Sequence, residues 1–525
     1  MKAHLSPNIS CHRFSHVILC AAFGFMVGMY TGCVRGIGII CFLVCLTAML
    51  ASIIFRGIGH YICSFLLLYL VGVAYINSHE LTTYPRLNYR KTITLTICPC
   101  TISEKTSEKV VYGYARILGA PKRYDKIIGH RMYFIAEHDG EVPARGQKLQ
   151  IRAQVEYIGK RKSKPFLKFL RKNHVFLYAS KGKIEKYLST KSCFDRFCER
   201  YRRKFFHALE CGLSDRSSIG VIAGMLTGSK HMLSSTQKND FCSTGTAHVF
   251  AISGFHVGVI ALFFDWFLRL LKLSRRLRAL PVIAILFIYL SIIGPTPSSM
   301  RAYTTIFFYY AATVFSRRSN AFSSFANSAA VNICRAPESV FDISFLLSYG
   351  IVFGIICVGS NLNRLLKNLK WRTQQLRSRT FAEKIKESVC SNLLENFCVS
   401  FSAGITGIPL SVEFFGNFSY LTIFINLFLV PLASAVISLG VVSLLLGTIN
   451  MFALCALVNK LASVPIFLIN LTLNCSRKIN HGLINVPCPF DGIWIPSLVL
   501  VAMIGWCLKK LSDKIRKDND SLVVL

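Results

Sequence analysis

Apolar residues along this chain gather into runs too long for strands, and the runs fall into two sets. Three follow one another near 15–33, 36–55 and 59–76. Nine more lie near 248–271, 280–294, 299–316, 320–336, 338–358, 396–417, 419–447, 450–474 and 492–508. About 20 apolar residues in a helix cross the ~30 Å hydrocarbon layer, and tilt or local thinning accommodates shorter runs. The pattern therefore predicts a mainly α polytopic membrane protein of about twelve transmembrane helices. Basic residues precede the first run, as in a signal peptide, but two further runs follow at once, so it reads as an anchored helix.

One long break interrupts the apolar pattern, from about 77 to 216. Within it, residues alternate with period two over 110–118, 131–137, 147–156 and 174–179, with Gly and Pro turns between (Gly119-Ala120-Pro121, Gly140, Pro143, Gly146). Short alternating segments bounded by turn residues are strands. Five or so in about a hundred residues fit a small β-barrel of the OB type. The expected layout is 1–76 N-terminal helices, 77–216 a basic OB-like domain ending in an interfacial helix over 196–206, 217–508 a second membrane domain, and 509–525 a basic tail.

Composition sharpens this picture. Of 525 residues, 53% are hydrophobic and 16% charged, more apolar matter than one water-soluble core can use. The formal charge is +36, from 61 Lys+Arg against 25 Asp+Glu. By count, 77–216 holds 30 Lys+Arg and 13 Asp+Glu, about half of all the positive charge. Its densest stretch, Lys160, Arg161, Lys162, Lys164, Phe166, Lys168, Arg171 and Lys172, interleaves cations with rings. Cations for phosphates and rings for bases hold a single strand without sequence preference. Anionic lipid is the alternative partner, and for the amphipathic 196–206 it is the preferred one.

Lys and Arg are retained on the cytoplasmic side during insertion. With the N-terminus inside, the basic loops at 272–278, 317–318 and 364–386 and the tail at 509–517 all fall inside, which predicts two cytoplasmic termini and an external 77–216 domain. Most of the 20 cysteines sit singly in apolar runs and read as small packing residues. Only Cys98, Cys100, Cys193 and Cys198 are placed for a disulfide, and no pair has zinc-ligand spacing.

The most specific chemistry lies in Ser243-Thr244-Gly245-Thr246-Ala247-His248-Val249-Phe250-Ala251-Ile252-Ser253-Gly254-Phe255-His256-Val257-Gly258, where polar side chains open a membrane helix. Polar groups there are costly and imply a lined cavity or a partner. At 100° per residue, His248, His256 and Ser253 fall at 0°, 80° and 140°, one polar stripe on an otherwise apolar helix, with Gly245 about 20° from His256 leaving room for close approach.

This run resembles the ComEC competence signature T-G-x-x-H-x-x-A-x-S-G-x-H-V, matched at Thr244, Gly245, His248, Ala251, Ser253, Gly254, His256 and Val257. Further matches follow in order. Pro297-Ser298-Ser299-Met300-Arg301-Ala302 is similar to P-S-x-x-R-A and Phe345-Leu346-Leu347-Ser348 to F-Q-L-S, while Pro409, Phe415-Gly416, Asn426-Leu427 and Pro431-Leu432 fall at the later positions. Leu346 stands where the family usually has Gln. The resemblance implies a bacterial inner-membrane channel that imports single-stranded DNA during natural transformation. Its path would include Thr244, Gly245, His248, Ser253, Gly254, His256, Arg301, Phe345, Ser348 and Asn426. Arg301 follows Pro295 and Pro297 near a helix start, where guanidinium and helix N-terminus can both face a phosphate.

No cofactor, metal site or catalytic residue is expected. No His-x-His-x-Asp-His run is present, so degradation of the other strand falls to a separate nuclease, and the domain of that type that many ComEC proteins carry is not expected here. No Walker run is present either, so a DNA receptor and a cytoplasmic ATPase are expected partners beside DNA and lipid. Two other classes compete. One is a secondary transporter of a small anion or lipid precursor. The other is an intramembrane hydrolase using Ser253 and His256, three apart on one helix.

Overall fold

The structure is a computed structural model and describes residues 91–524, apart from 101, 106–108, 139–141, 145, 159–166, 168–169, 171–174, 176, 190–191, 229–231, 235–236, 238–239, 242–243, 251, 317–318, 336–341, 375–380, 420, 479–482 and 487–493. The three apolar runs before residue 77 lie outside the described residues, as do Lys160, Arg161, Lys162, Lys164, Phe166, Lys168, Arg171 and Lys172.

The chain forms two compact units. In the first, β1 (Lys91–Pro99), β3 (Val110–Gly119), β4 (Arg131–Glu137), β5 (Leu149–Tyr157) and β6 (Leu177–Tyr187) make a closed five-stranded barrel. The ring runs β1-β5-β6-β4-β3 and returns to β1, antiparallel at every seam except the parallel β4–β6 pair. A short β2 (Ser103–Lys105) extends β3. Alternation drives closure, since Leu95, Ile97, Val111, Ile117, Met132, Phe134, Leu149, Ile151 and Leu177 all point inward and are fully buried. β1 was not among the expected strands, and the strand expected over 174–179 is realised further on, at 177–187.

α1 (Cys193–Glu210) follows, longer than the amphipathic segment expected over 196–206. It starts where Ser192 and Asp195 cap one another, Asp195 N–H donating to Ser192 Oγ at 3.0 Å and Ser192 N–H to Asp195 Oδ2 at 3.0 Å. Cys98, Cys100, Cys193 and Cys198 are free thiols, so the disulfide considered for them is not formed.

The second unit, from Arg203 on, is helical. α2 (Arg216–Thr227) and α3 (Gly254–Leu270) precede α4 (Arg275–Ile293) and α5 (Pro297–Val314). After α6 (Ala321–Arg335), most of which groups with the first unit, α7 (Ile343–Gly354) runs through a π turn at Ile355–Gly359 into α8 (Ser360–Gln374). α9 (Phe381–Phe415), α10 (Leu421–Thr448), α11 (Phe452–Lys478) and α12 (Trp494–Val524) complete it, with a ribbon of β7 (Asn417–Ser419) and β8 (Leu483–Asn485).

Each of the nine apolar runs from 248 onward contains a helix, but among the described residues five segments are long and apolar enough to cross a membrane. These are Arg275–Ile293, Ile343–Leu369, Glu387–Phe415, Leu421–Thr448 and Phe452–Ser476. α3 and α6, at 17 and 15 residues, are shorter than any of them.

Candidate functional site

The signature segment does not fold as one helix. Ala247–Phe250 is a separate 3-10 turn, Ser253 is extended at φ −102° and ψ 172°, and α3 begins only at Gly254. The common stripe of His248, Ser253 and His256 is therefore corrected. A serine side chain competes for backbone donors and favours the position before a helix, which breaks the run where a wheel assumes continuity.

Upstream, Thr244 is buried, its Oγ1 donating to the Asp240 carbonyl at 2.8 Å and lying 2.8 Å from Thr246 Oγ1. Gly245 takes φ +71°, and a Cβ there would sit 2.5 Å from Thr422 Oγ1. Thr422, in the first turn of α10, donates to the Thr244 carbonyl at 3.1 Å. The glycine thus serves a left-handed turn and a close approach together. The backbone of His248 lies in the 3-10 turn; its side chain is outside the description.

At the start of α3, the Ser253 N–H donates to His256 Nδ1 at 3.3 Å and Ser253 Oγ lies 2.9 Å from the same nitrogen. An N–H can only donate, so Nδ1 is the unprotonated nitrogen and the ring proton sits on Nε2. His256 is 1% exposed, and its imidazole spends Nδ1 on tying down the helix start.

Gly254 faces α5, where a Cβ on it would meet Ala302 Cβ at 3.5 Å. The preceding residue, Arg301, is 6% exposed and donates Nη2 to the Ser344 carbonyl at 2.6 Å and to Ser344 Oγ at 2.9 Å, its guanidinium 5.9 Å from the Phe345 ring centre. Phe345 is buried against Tyr349, with ring centres 4.5 Å apart. Ser348 is half-buried one turn further along α7, and Leu346 is buried. Asn426 lies one turn beyond Thr422 on α10, and its Oδ1 is buried with no hydrogen-bond partner among the described residues.

Contacts therefore link some of the expected residues. The 244–257 segment is joined to α10 through Thr422 and to α5 through Gly254, and Arg301 ties α5 to α7. Ser344 and Thr422, which the sequence pattern does not single out, make those ties. Among the described residues no cluster of His, Cys, Asp or Glu could hold a metal ion.

The second unit contains all of these positions, and a family model described as "Competence protein" matches residues 225–511. The chain belongs to the competence protein family. It is also similar to ComE operon protein 3 of Bacillus subtilis (strain 168), at 22% identity over 241 residues, 46% of this chain. That alignment spans 28% of the relative's length. No solved structure matches the chain significantly.

Proposed function

We propose that this competence protein is an inner-membrane channel that passes one DNA strand from outside to the cytoplasm. The carrying observation is that Thr244, His256 and Arg301 are buried, with Ser253 half-buried, among apolar helices within the family-matched region. Such groups are retained in a membrane where they serve a polar route. A passing strand needs walls that donate to phosphate without holding it, and hydroxyls, an imidazole and one arginine do this more gently than a ring of lysines. Phe345, Ser348 and Asn426 continue the same path, with His248 at its mouth.

On this reading the barrel is an OB-like domain on the outer face, since its strand order and single parallel pair fit that topology. The domain captures DNA with Lys160, Arg161, Lys162, Lys164, Phe166, Lys168, Arg171 and Lys172 before release into the 217–508 channel. α1 lies at the lipid surface, the 509–525 tail is cytoplasmic, and both termini face inward. A DNA receptor, a cytoplasmic ATPase and a separate nuclease supply capture, drive and strand degradation. Cells lacking the protein should hold fluorescent double-stranded DNA outside the membrane and regain internal signal on complementation. Internal signal without the protein would remove it from uptake.

A further inference from the structure

The outer face of the barrel carries a ladder of rings. Tyr114 on β3 stands directly opposite Tyr133 on β4, and Tyr133 directly opposite Tyr178 on β6. The Tyr114 and Tyr133 rings meet edge to face at 5.3 Å, and those of Tyr133 and Tyr178 lie 6.2 Å apart and nearly parallel, at 17°. Ile158, Leu170 and Val175 pack against all three rings, which stay half-buried. Two residues along the same face, Arg116 stands directly opposite Arg131. Like charges in that position destabilise a sheet. Arg131 has an offset, with its guanidinium 4.6 Å from the Tyr114 ring centre and 3.9 Å from Asp342; Arg116 is exposed. Glu156 stands opposite Tyr178.

The rings wall that small apolar cluster, but fold stability does not call for two facing arginines beside them; a single-stranded polynucleotide does, since each base offers a face for stacking on the exposed part of the rings and each linkage an anion. We infer that Tyr114, Tyr133 and Tyr178 form a base-stacking surface for single-stranded DNA, with Arg116 and Arg131 holding the adjoining phosphates. The inference deepens the DNA-capture reading above and rests on it. The phenol hydroxyls suit the role, because burial raises the Tyr114, Tyr133 and Tyr178 groups above their ordinary range and keeps them uncharged beside phosphate.

The test uses the full chain in lipid nanodiscs and the fluorescence anisotropy of two oligonucleotides of equal length and charge, one of thymidine and one abasic. Tyr133→Ala and Tyr178→Ala should each weaken thymidine binding by roughly fivefold or more while leaving abasic binding within about twofold. Tyr133→Phe should bind like wild type. Arg116→Ala, at an exposed position that leaves the barrel core intact, should weaken both and lower the salt slope by about one. Equal losses on the two oligonucleotides, or none on either, would overturn the stacking surface even where wild type binds DNA well. If the wild-type chain binds neither, the DNA-capture reading falls and takes this inference with it.

Discussion

Arg301 on α5 reaches the first turn of α7 and shares one nitrogen between the carbonyl and the hydroxyl of Ser344, at 2.6 and 2.9 Å. A guanidinium this deep needs acceptors fixed in advance, because a buried cation without them costs several kcal/mol. Arg301→Lys replaces a planar fork by a point charge on a shorter reach. We expect normal membrane levels and about a tenfold fall in DNA uptake, equivalent to ~1.4 kcal/mol. Ser344→Ala keeps the carbonyl and should cost only about 1 kcal/mol of stability. Transformation frequency against immunoblotted protein level separates the two.

Gly245→Ala should be among the more damaging small substitutions in the chain. It forces a side chain onto φ +71° and puts a methyl 2.5 Å from Thr422 Oγ1. Backbone strain of this kind costs about 1–3 kcal/mol. A lowered thermal midpoint of the detergent-solubilised protein is expected, with part of it recovered in Gly245→Ala/Thr422→Gly. Full stability in the single variant would contradict the close approach.

Helices were legible from the start because they are written in consecutive apolar residues, and each of the nine runs from 248 onward contains one, although among the described residues five segments are long and apolar enough to cross a membrane. The barrel was legible where period-two alternation met turn residues. β1 has that alternation too, with Ile93, Leu95 and Ile97 inward and threonines between, but no Gly-Pro turn precedes it to mark a start. The ties that build the site were hidden, since Arg301 and Ser344 lie 43 residues apart and Thr244 and Thr422 lie 178 apart. Local spacing carries no trace of such pairs. It also misled where it was used alone, because a helical wheel drawn through Ser253 assumes a helix that its own hydroxyl interrupts.

The pH dependence of α2 follows from its cap. Asp215 accepts from the Ser217 N–H at 2.9 Å, from the Ser218 N–H at 3.1 Å and from the Ser218 hydroxyl at 3.0 Å, and these bonds, the Ser217 N–H first, hold its carboxyl below the ordinary range. A carboxylate depressed in the folded state adds stability above its unfolded pKa and loses it as pH falls through the folded value. Asp215→Ala should cost about 1 kcal/mol at neutral pH. Thermal midpoints of variant and wild type should converge as pH drops below about 4; a constant gap would contradict the cap.

Asn459, fully buried in α11, donates Nδ2 to the carbonyls of Ala208 at 2.8 Å and Cys211 at 2.9 Å, closing the C-terminus of α1. Asn459→Leu keeps the volume and strands those acceptors, at a cost of about 1–3 kcal/mol. Hydrogen exchange should quicken in the last turn of α1 and the residues after it, while the barrel stays protected. Ser443→Ala, whose bond to Ala208 is longer at 3.3 Å, should do less.

The central claim is that the buried polar cluster at the start of α3 lies on the path of DNA. It is tested most directly by following fluorescent DNA in cells whose only copy carries His256→Ala at wild-type membrane level. The account predicts DNA bound at the surface and little or none in the cytoplasm. Undiminished cytoplasmic DNA would contradict it.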